Sequence, residues 1–538
     1  MDNQRSCTPL TFILVALLFL ACGYSHVAAK EAAQPNIIFI LCDDLGYGDV
    51  HCLNPDCKIA TPQMDRLAAE GMIFTDAHSG SAVCTPTRYG VMTGRYAWRT
   101  KLQRGVLGGL SPRLIEQDRM TVASFLKGQG YTTGCVGKWH LGMDWARKGE
   151  VAELNIEGAD QVWNVDYSKP IVNGPNSVGF DYYYGISASL DMVPYTFIEN
   201  DHVTVLPTKD DSFAMMVGRQ GGTTRKGPTA PGFHADQVLP RLTEKAVEFV
   251  QANSKAAKDG KPFFLYLPYA SPHTPIQPTK PWLDASGLNP YADFVMQTDD
   301  GIGQVMVAVE EAGLKENTLI IVTSDNGCSP QAKFEELLAK GHNPSYLFRG
   351  HKADIYDGGH RVPFIVRWPA RVKAGTTSHQ LTCLTDFMAT CADILGQKLP
   401  DTAAEDSVSM LPALTGTASQ PIREAVVHHS IDGSFAIRQG EWKLEICPGS
   451  GGWSAPRPNV DTSADPAVQL YNLKEDINEQ NNLQDMHPDI VKRLTALMEQ
   501  YAANGRSTPG AAQKNAVDVD VHAAGKAAHA PKPKNKKS

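Results

Sequence analysis

A cysteine followed one helical turn later by an arginine, Cys84-Thr85-Pro86-Thr87-Arg88, is the densest chemical signal in this chain. Pro86 suits the first turn of a helix, which puts Cys84 at the helix mouth. Free N–H groups and the positive end of the helix dipole favour an anion there. Arg88, four residues on, lies on the same face. Taken alone, the pattern also fits a buried or disulfide-bonded cysteine beside a surface arginine. Two acidic groups add a second kind of chemistry. Asp43 and Asp44 follow the apolar run 36–41, and Asp325 and Asn326 follow the run 318–322. An isolated Asp-Asp pair is more often a turn or a cap. Two such groups behind two apolar runs instead supply hard oxygen ligands, suited to Ca²⁺ or Mg²⁺ rather than zinc. His273, in Ser271-Pro272-His273-Thr274-Pro275, follows a third apolar run at 263–267.

The runs 36–41, 263–267 and 318–322 read as buried strands. Helical patterns lie between them, from Thr61-Pro62 to near Gly71, from about 235 to 251 and from about 291 to 313. This alternation predicts a mostly parallel sheet covered on both faces. Ligands in such folds gather beyond the carboxyl ends of the strands, where these polar residues fall. A second region, 399–505, has shorter alternating pieces at 435–438 and 442–446 and a helical stretch near 490–501. It reads as a small α+β subdomain. From 506 to 538 the chain is rich in Ala, Gly, Pro and Lys and ends in a basic run at 532–537. That composition predicts a disordered tail.

Residues 1–29 read as a signal peptide: Arg5, an apolar segment at 10–20 too short to span a bilayer, then Val27-Ala28-Ala29. The expectation is export to the periplasm or the extracellular space, with a lipid anchor at Cys22 as the weaker alternative. No later segment is apolar for long enough to cross a membrane. A formal net charge of −8 argues against a nucleic-acid partner. The 42% hydrophobic and 20% charged composition fits a globular chain with a sizeable core. Eleven cysteines are present, two of them, Cys7 and Cys22, in the leader. Their spacing lacks the paired short loops of a zinc site. Export permits disulfides, but spacing does not reveal their pairing.

Cys84 to Arg88, continued by Tyr89-Gly90-Val91-Met92-Thr93-Gly94-Arg95, closely resembles the signature of the type I sulfatases. The resemblance recurs in order at 36–49, which ends in Asp43-Asp44-Leu45-Gly46-Tyr47-Gly48-Asp49, and at Gly137-Lys138-Trp139-His140-Leu141-Gly142. It continues at Ser324-Asp325-Asn326-Gly327, at Gly350-His351-Lys352 and at Gly358-Gly359-His360-Arg361-Val362-Pro363. These blocks span about residues 36 to 369. The resemblance implies an α/β, alkaline-phosphatase-like fold: a large mixed, mostly parallel sheet sandwiched by helices over 33–398, with the smaller α+β subdomain at 399–505. It implies hydrolysis of sulfate esters and a maturation enzyme that oxidises Cys84 to formylglycine. It further implies Ca²⁺, with Mg²⁺ less favoured, held by Asp43, Asp44, Asp325, Asn326 and the modified Cys84. Arg88 would steady the formylglycine, and Lys138 and Lys352 would bind sulfate oxygens. His140 would assist the release of sulfate, and His273 would protonate the leaving oxygen. Hydrated formylglycine carries two hydroxyls on one carbon, one to attack sulfur and one to drive release; a serine lacks the second. Asp357 is a departure, since the family more often has Glu there.

The region between Met143 and Asp236 is the expected seat of substrate choice, because loops there border the site. Asp191, Tyr195 and His234 are its candidate sugar contacts, with Trp145 and Trp163 as possible stacking surfaces; each could equally be a core or surface residue. A sulfated polysaccharide or its oligosaccharides is the expected target. Two rival readings remain. One is a metal-dependent phosphatase or phosphodiesterase on the same fold, whose relatives usually carry Ser or Thr as nucleophile and two zinc ions. The other is a non-catalytic glycan-binding relative.

Overall fold

The computed structural model describes residues 34–149, 159–458, 462 and 465–523. The expected signal peptide, Cys22 and the basic end at 532–537 lie outside them.

Ten strands form the main sheet: β1 Asn36–Asp43, β2 Met72–Phe74, β3 Thr132–Lys138, β4 Tyr182–Ile186, β5 Ile198–Glu199, β6 His202–Val203, β7 Phe263–Pro272, β8 Thr318–Ser324, β9 Phe364–Arg367 and β10 Thr376–Ser378. Their order is β10-β2-β9-β8-β1-β7-β3-β4-β5-β6. The middle of the sheet, β8-β1-β7-β3-β4, is parallel throughout, and antiparallel pairs flank it through β9 and β5. Every residue of β1, β7 and β8 is buried, as apolar runs covered on both faces should be.

Seven helices matter here: α1 Pro62–Ala69, α2 Cys84–Thr93, α3 Val122–Gly128, α4 Val238–Lys258, α5 Pro290–Glu311, α6 Phe387–Ile394 and α7 Pro488–Ala503. α1, α4 and α5 pack together, as do α2, α3 and α6, and the sheet lies between the two groups. The helices expected at 61–71, 235–251 and 291–313 are α1, α4 and α5. α4 is preceded by a single 3-10 turn at Ala235–Gln237 and runs seven residues past its expected end.

A smaller antiparallel sheet follows, made of β11 Val426–His429, β12 Phe435–Gln439, β13 Trp442–Glu445 and β14 Gln469–Asn472, with α7 packed on it. It is stitched to the segment just before Cys84, where the Ala82 N–H donates to the His429 carbonyl at 3.0 Å.

Composition misjudged the start of the tail. Residues 506–523 are ordered against the rest of the chain. The Arg95 guanidinium donates to the Lys514 carbonyl, Arg99 to Asn515 and Gln103 to the Asp518 carbonyl. Val521 is buried in the core under the smaller sheet. All nine cysteines among the described residues are free thiols.

Candidate active site

The carboxyl ends of β1 and β8 lie side by side because the parallel register pairs Cys42 with Ser324. Asp43 therefore ends one strand beside Asp325, which follows the other. Asp44 sits at φ 65°, in the left-handed region that Asp tolerates better than most side chains. In a continued strand, neighbouring side chains would point to opposite faces; this turn lets both carboxylates join one cluster. The Asp44 N–H donates to Asp325 Oδ1 at 3.3 Å, and Asn326 Nδ2 donates to Asp44 Oδ1 at 2.7 Å.

Cys84 is the first residue of α2, entered from an extended Val83, and all of α2 is buried. Burial raises the Cys84 thiol above its ordinary range, with Lys138 and Lys352 pulling the other way. Arg88, one turn on, points its guanidinium into the carboxylates: Nη2 and Nε donate to Asp325 Oδ2 at 2.6 and 3.1 Å. Its Nη2 also lies 3.6 Å from Asp43 Oδ1. Lys138, at the end of β3, places Nζ 2.5 Å from Asp43 Oδ2. Lys352 places Nζ 2.6 Å from Asp44 Oδ1 and 2.8 Å from Oδ2. Three carboxylates thus face three cations, all of them buried.

Burial would raise the Asp43 carboxyl, yet Lys138, His273, Arg88 and Lys352 hold it well below the usual range. Asp325 is pushed up to about 6 by burial and by Asp43 beside it, against the pull of Arg88. Asp43 Oδ1 and Asn326 Oδ1 are buried with no hydrogen-bond donor, a costly state for an acceptor oxygen. Ligand atoms of Asp43, Asp44 and His273 lie within 4.8 Å of one another. Donors of this kind, oxygens with unfilled acceptor capacity, fit a hard divalent cation.

The two histidines are held in defined tautomers. His140, at φ 55°, has Nε2 2.7 Å from the Leu107 carbonyl. A carbonyl only accepts, so Nε2 carries the proton and Nδ1 keeps its lone pair. That Nδ1 is buried and has no partner. Burial, reinforced by Lys138 and Arg88, holds His140 well below its ordinary range, so it is neutral. His273 Nδ1 lies 2.6 Å from the Thr274 carbonyl, leaving Nε2 directed to the cluster, 3.6 Å from Asp44 Oδ2.

The fold therefore brings Cys84, Arg88, Lys138, His140, His273, Lys352, Asp43, Asp44, Asp325 and Asn326 into one centre. Asp191, Tyr195 and His234 are not among its hydrogen bonds or ion pairs. Tyr195 is buried and spends its hydroxyl on Thr224 and the Arg225 carbonyl. Asp191 has a buried Oδ1 without a partner, and its backbone accepts from Tyr195. His234 is exposed at the start of the turn before α4. Trp145 donates to the Gly109 carbonyl and Trp163 to Asp210.

Several supports were missed in the sequence. The Leu107 carbonyl fixes His140, and the Leu107 N–H donates to Thr85 in the first turn of α2. Tyr291 donates to the Asp44 carbonyl at 3.1 Å and to Asp49 at 2.5 Å, and His342 completes the Asp49 shell at 2.8 Å. Asp49 lies in one of the recognised blocks, which was the available signal; backbone acceptors carry none.

Residues 35–397 match the Sulfatase family model. This chain belongs to the sulfatase family. It is a type I sulfatase, a sulfuric ester hydrolase. An N-acetylgalactosamine-6-O-sulfatase of Bacteroides thetaiotaomicron is 35% identical to it over 87% of this chain and 93% of its own length. Human arylsulfatase A is 32% identical over 89% of each chain. A solved sulfatase structure from a study of glycosaminoglycan metabolism by B. thetaiotaomicron superposes with a TM-score of 0.74 at 33% identity, covering 87% of this chain and 99% of its own. Among the described residues of this sulfatase, no helix is long and apolar enough to cross a membrane.

Proposed function

We propose that this sulfatase is exported and removes sulfate from sulfated carbohydrates, using a formylglycine made from Cys84 by a maturation enzyme and a Ca²⁺ ion held by Asp43, Asp44, Asp325, Asn326 and residue 84. The observation that carries this reading is the meeting of Cys84, at the mouth of α2, with three carboxylates, three cations and two tautomer-locked histidines. When bound, the modified residue supplies a geminal pair of hydroxyls, and the ion supplies positive charge that polarises the oxygens it touches.

The chain's own residues do the rest. With three carboxylates balanced by three cations, a divalent ion gives the centre a net positive charge, which draws in a sulfate monoester. Lys138 and Lys352 leave their carboxylate contacts to hold sulfate oxygens and the charge that grows on them. Arg88 keeps Asp325 in place beneath residue 84. His140 Nδ1, a free lone pair, accepts a proton from residue 84 as sulfate departs. His273, with its Nδ1–H given to the Thr274 carbonyl, delivers a proton from Nε2 in its doubly protonated form to the leaving sugar oxygen, which without it would depart as a poor alkoxide leaving group. Asp191, with an unfilled buried oxygen, is the foremost candidate for a sugar hydroxyl.

The relative acting on N-acetylgalactosamine 6-sulfate makes hexosamine 6-sulfates the first substrates to test. Protein from the native host is digested, and the peptide holding Cys84 is weighed. Conversion to an aldehyde, about 18 Da lighter than the thiol, together with sulfate release from a sugar sulfate, supports the proposal. An unmodified thiol in a preparation that still turns over refutes it.

A further inference from the structure

A second buried cluster lies between the main fold and the smaller sheet, and sulfate hydrolysis makes no use of it. We propose that His78, His360 and His428 form a structural site for a borderline divalent transition ion, Zn²⁺ first among them.

All three side chains are fully buried, and their ligand-capable nitrogens lie within 4.8 Å of one another. Backbone carbonyls fix two of the tautomers. His360 Nε2 is 3.0 Å from the Ile355 carbonyl and His428 Nδ1 is 3.0 Å from the Ser79 carbonyl. Those nitrogens carry the protons, so His360 Nδ1 and His428 Nε2 present lone pairs. The His428 Nε2 has no partner at all. His78 Nε2 lies 2.9 Å from Asp76 Oδ1, which makes it a donor, and its Nδ1 is within hydrogen-bonding distance of His360 Nδ1, at 3.1 Å, where either a shared proton or a cation can stand.

Metal-bound histidines commonly donate their second nitrogen to a carboxylate or a backbone carbonyl, which fixes the tautomer and raises ligand basicity. All three rings here are held in that way. Imidazole nitrogens suit zinc and its neighbours, whereas the oxygen donors around Asp43 suit a hard ion. Charge is also accommodated. Arg361, Arg438 and Lys443 are paired among Asp76, Asp357, Glu445 and Glu479, leaving one carboxyl group in excess. Arg438 stands 3.1 Å from His78 Nε2 but bonds Asp76 Oδ1 more closely, at 2.6 Å. His360 and His428 are stacked with centroids 3.7 Å apart and planes at 9°. Ring lone pairs lie in the ring planes, so holding one ion in common requires one of these two rings to turn out of the stack.

The test is elemental. Full-length protein is incubated with ZnCl₂, desalted, and its zinc and calcium are counted per chain by plasma mass spectrometry. About one zinc should be retained, falling at least tenfold in His360→Gln and His428→Gln while calcium stays unchanged. Zinc K-edge absorption of the wild-type protein gives a check that needs no variant, with imidazole nitrogens expected at roughly 2.0–2.1 Å. Less than a tenth of an equivalent of zinc in the wild type, or a spectrum lacking imidazole, overturns the proposal.

Discussion

Replacing Arg88 by methionine removes one of three cations from a centre where three carboxylates are shut away from water. Arg88, Asp43 and Asp325 are each completely buried, and the guanidinium makes two bonds to Asp325 Oδ2, at 2.6 and 3.1 Å. Methionine fills part of the space but leaves Asp325 without its paired cation, while Asp43 keeps Lys138, and breaking a buried pair on one side costs about 3–5 kcal/mol. Unfolding entropy near 2.1 cal/mol/K per residue, over roughly 490 residues, amounts to about 1 kcal/mol/K, so Tm should fall by about 3–5 °C. A Ca²⁺ ion beside the same carboxylates restores positive charge where the arginine removed it. Calcium should therefore raise the Tm of Arg88→Met by more than it raises that of the wild type. The assay is a calorimetric scan of both proteins in EGTA and in saturating CaCl₂, at one scan rate. A shift below 1 °C in EGTA would show that the guanidinium does not balance this cluster. Equal calcium shifts in the two proteins would show that the ion is held away from Asp43 and Asp325.

The remaining predictions concern the histidines and the chain end. His273→Ala should lower kcat/KM on a sugar sulfate by about 10²–10⁴-fold, but on an aryl sulfate with a good leaving group by far less; equal losses on both would remove His273 from the proton transfer. His140→Gln should slow steady turnover by about 10²-fold or more while sparing a first burst of one equivalent of alcohol, read by stopped flow. Loss of that burst together with turnover would place His140 in the attack step instead. His429 is buried with neither ring nitrogen partnered, and burial depresses it from about 6.5 to about 4. Between those values the unfolded chain binds the extra proton, so stability is complete above pH 6.5 and falls by about 3 kcal/mol as pH drops through 4. His429→Leu should raise Tm at pH 4.5 relative to the wild type more than at pH 8, and parallel pH profiles would contradict this. Ending the chain after Gly505 should lower Tm measurably, whereas ending it after Ala523 should not, because the bonds to Arg95, Arg99 and Gln103 come from Lys514, Asn515 and Asp518.

The sheet and much of the centre were legible because they depend on local pattern. Runs at 36–41, 263–267 and 318–322 are apolar because the strands are covered on both sides. Asp43, Asp44, His273, Asp325 and Asn326 stand where those strands end, which singled them out by position, while the roles assigned to them rested on the family resemblance. Helical spacing put Cys84 and Arg88 on one face, and the family signature that continues through Arg95 gave them their roles. Lys138, His140 and Lys352 owed their assignment to family resemblance, since a lysine or a histidine in a loop carries no local mark of its role. Local pattern failed wherever the partner is distant and generic. The Leu107 carbonyl that sets the His140 tautomer has no side-chain signature. Neither do the 2.5 Å bond from Tyr291 to Asp49 or the turn of backbone that brings Asp44 beside its neighbour.

The chain end makes the same point from the other direction. Residues 506–523 have a composition that cannot build a core of its own, which is the physical content of a disorder prediction. They are ordered in part because Arg95 and Gln103, about 400 residues earlier, donate to backbone carbonyls that any sequence would present, and Arg99 donates to the Asn515 side-chain oxygen. Those three residues lie between α2 and Leu107, on the segment that carries the carbonyl facing His140. Residues 506–523 are thus fastened to the link between α2, which carries Cys84, and the histidine proposed to act in release. A loop of that kind must hold a carbonyl within hydrogen-bonding range of a buried ring, and fixing it from both sides limits the motion that would let the tautomer change. Order in this stretch follows from what it packs against: the loop it braces, through the Asn515 side chain and two backbone carbonyls, and the core that takes Val521.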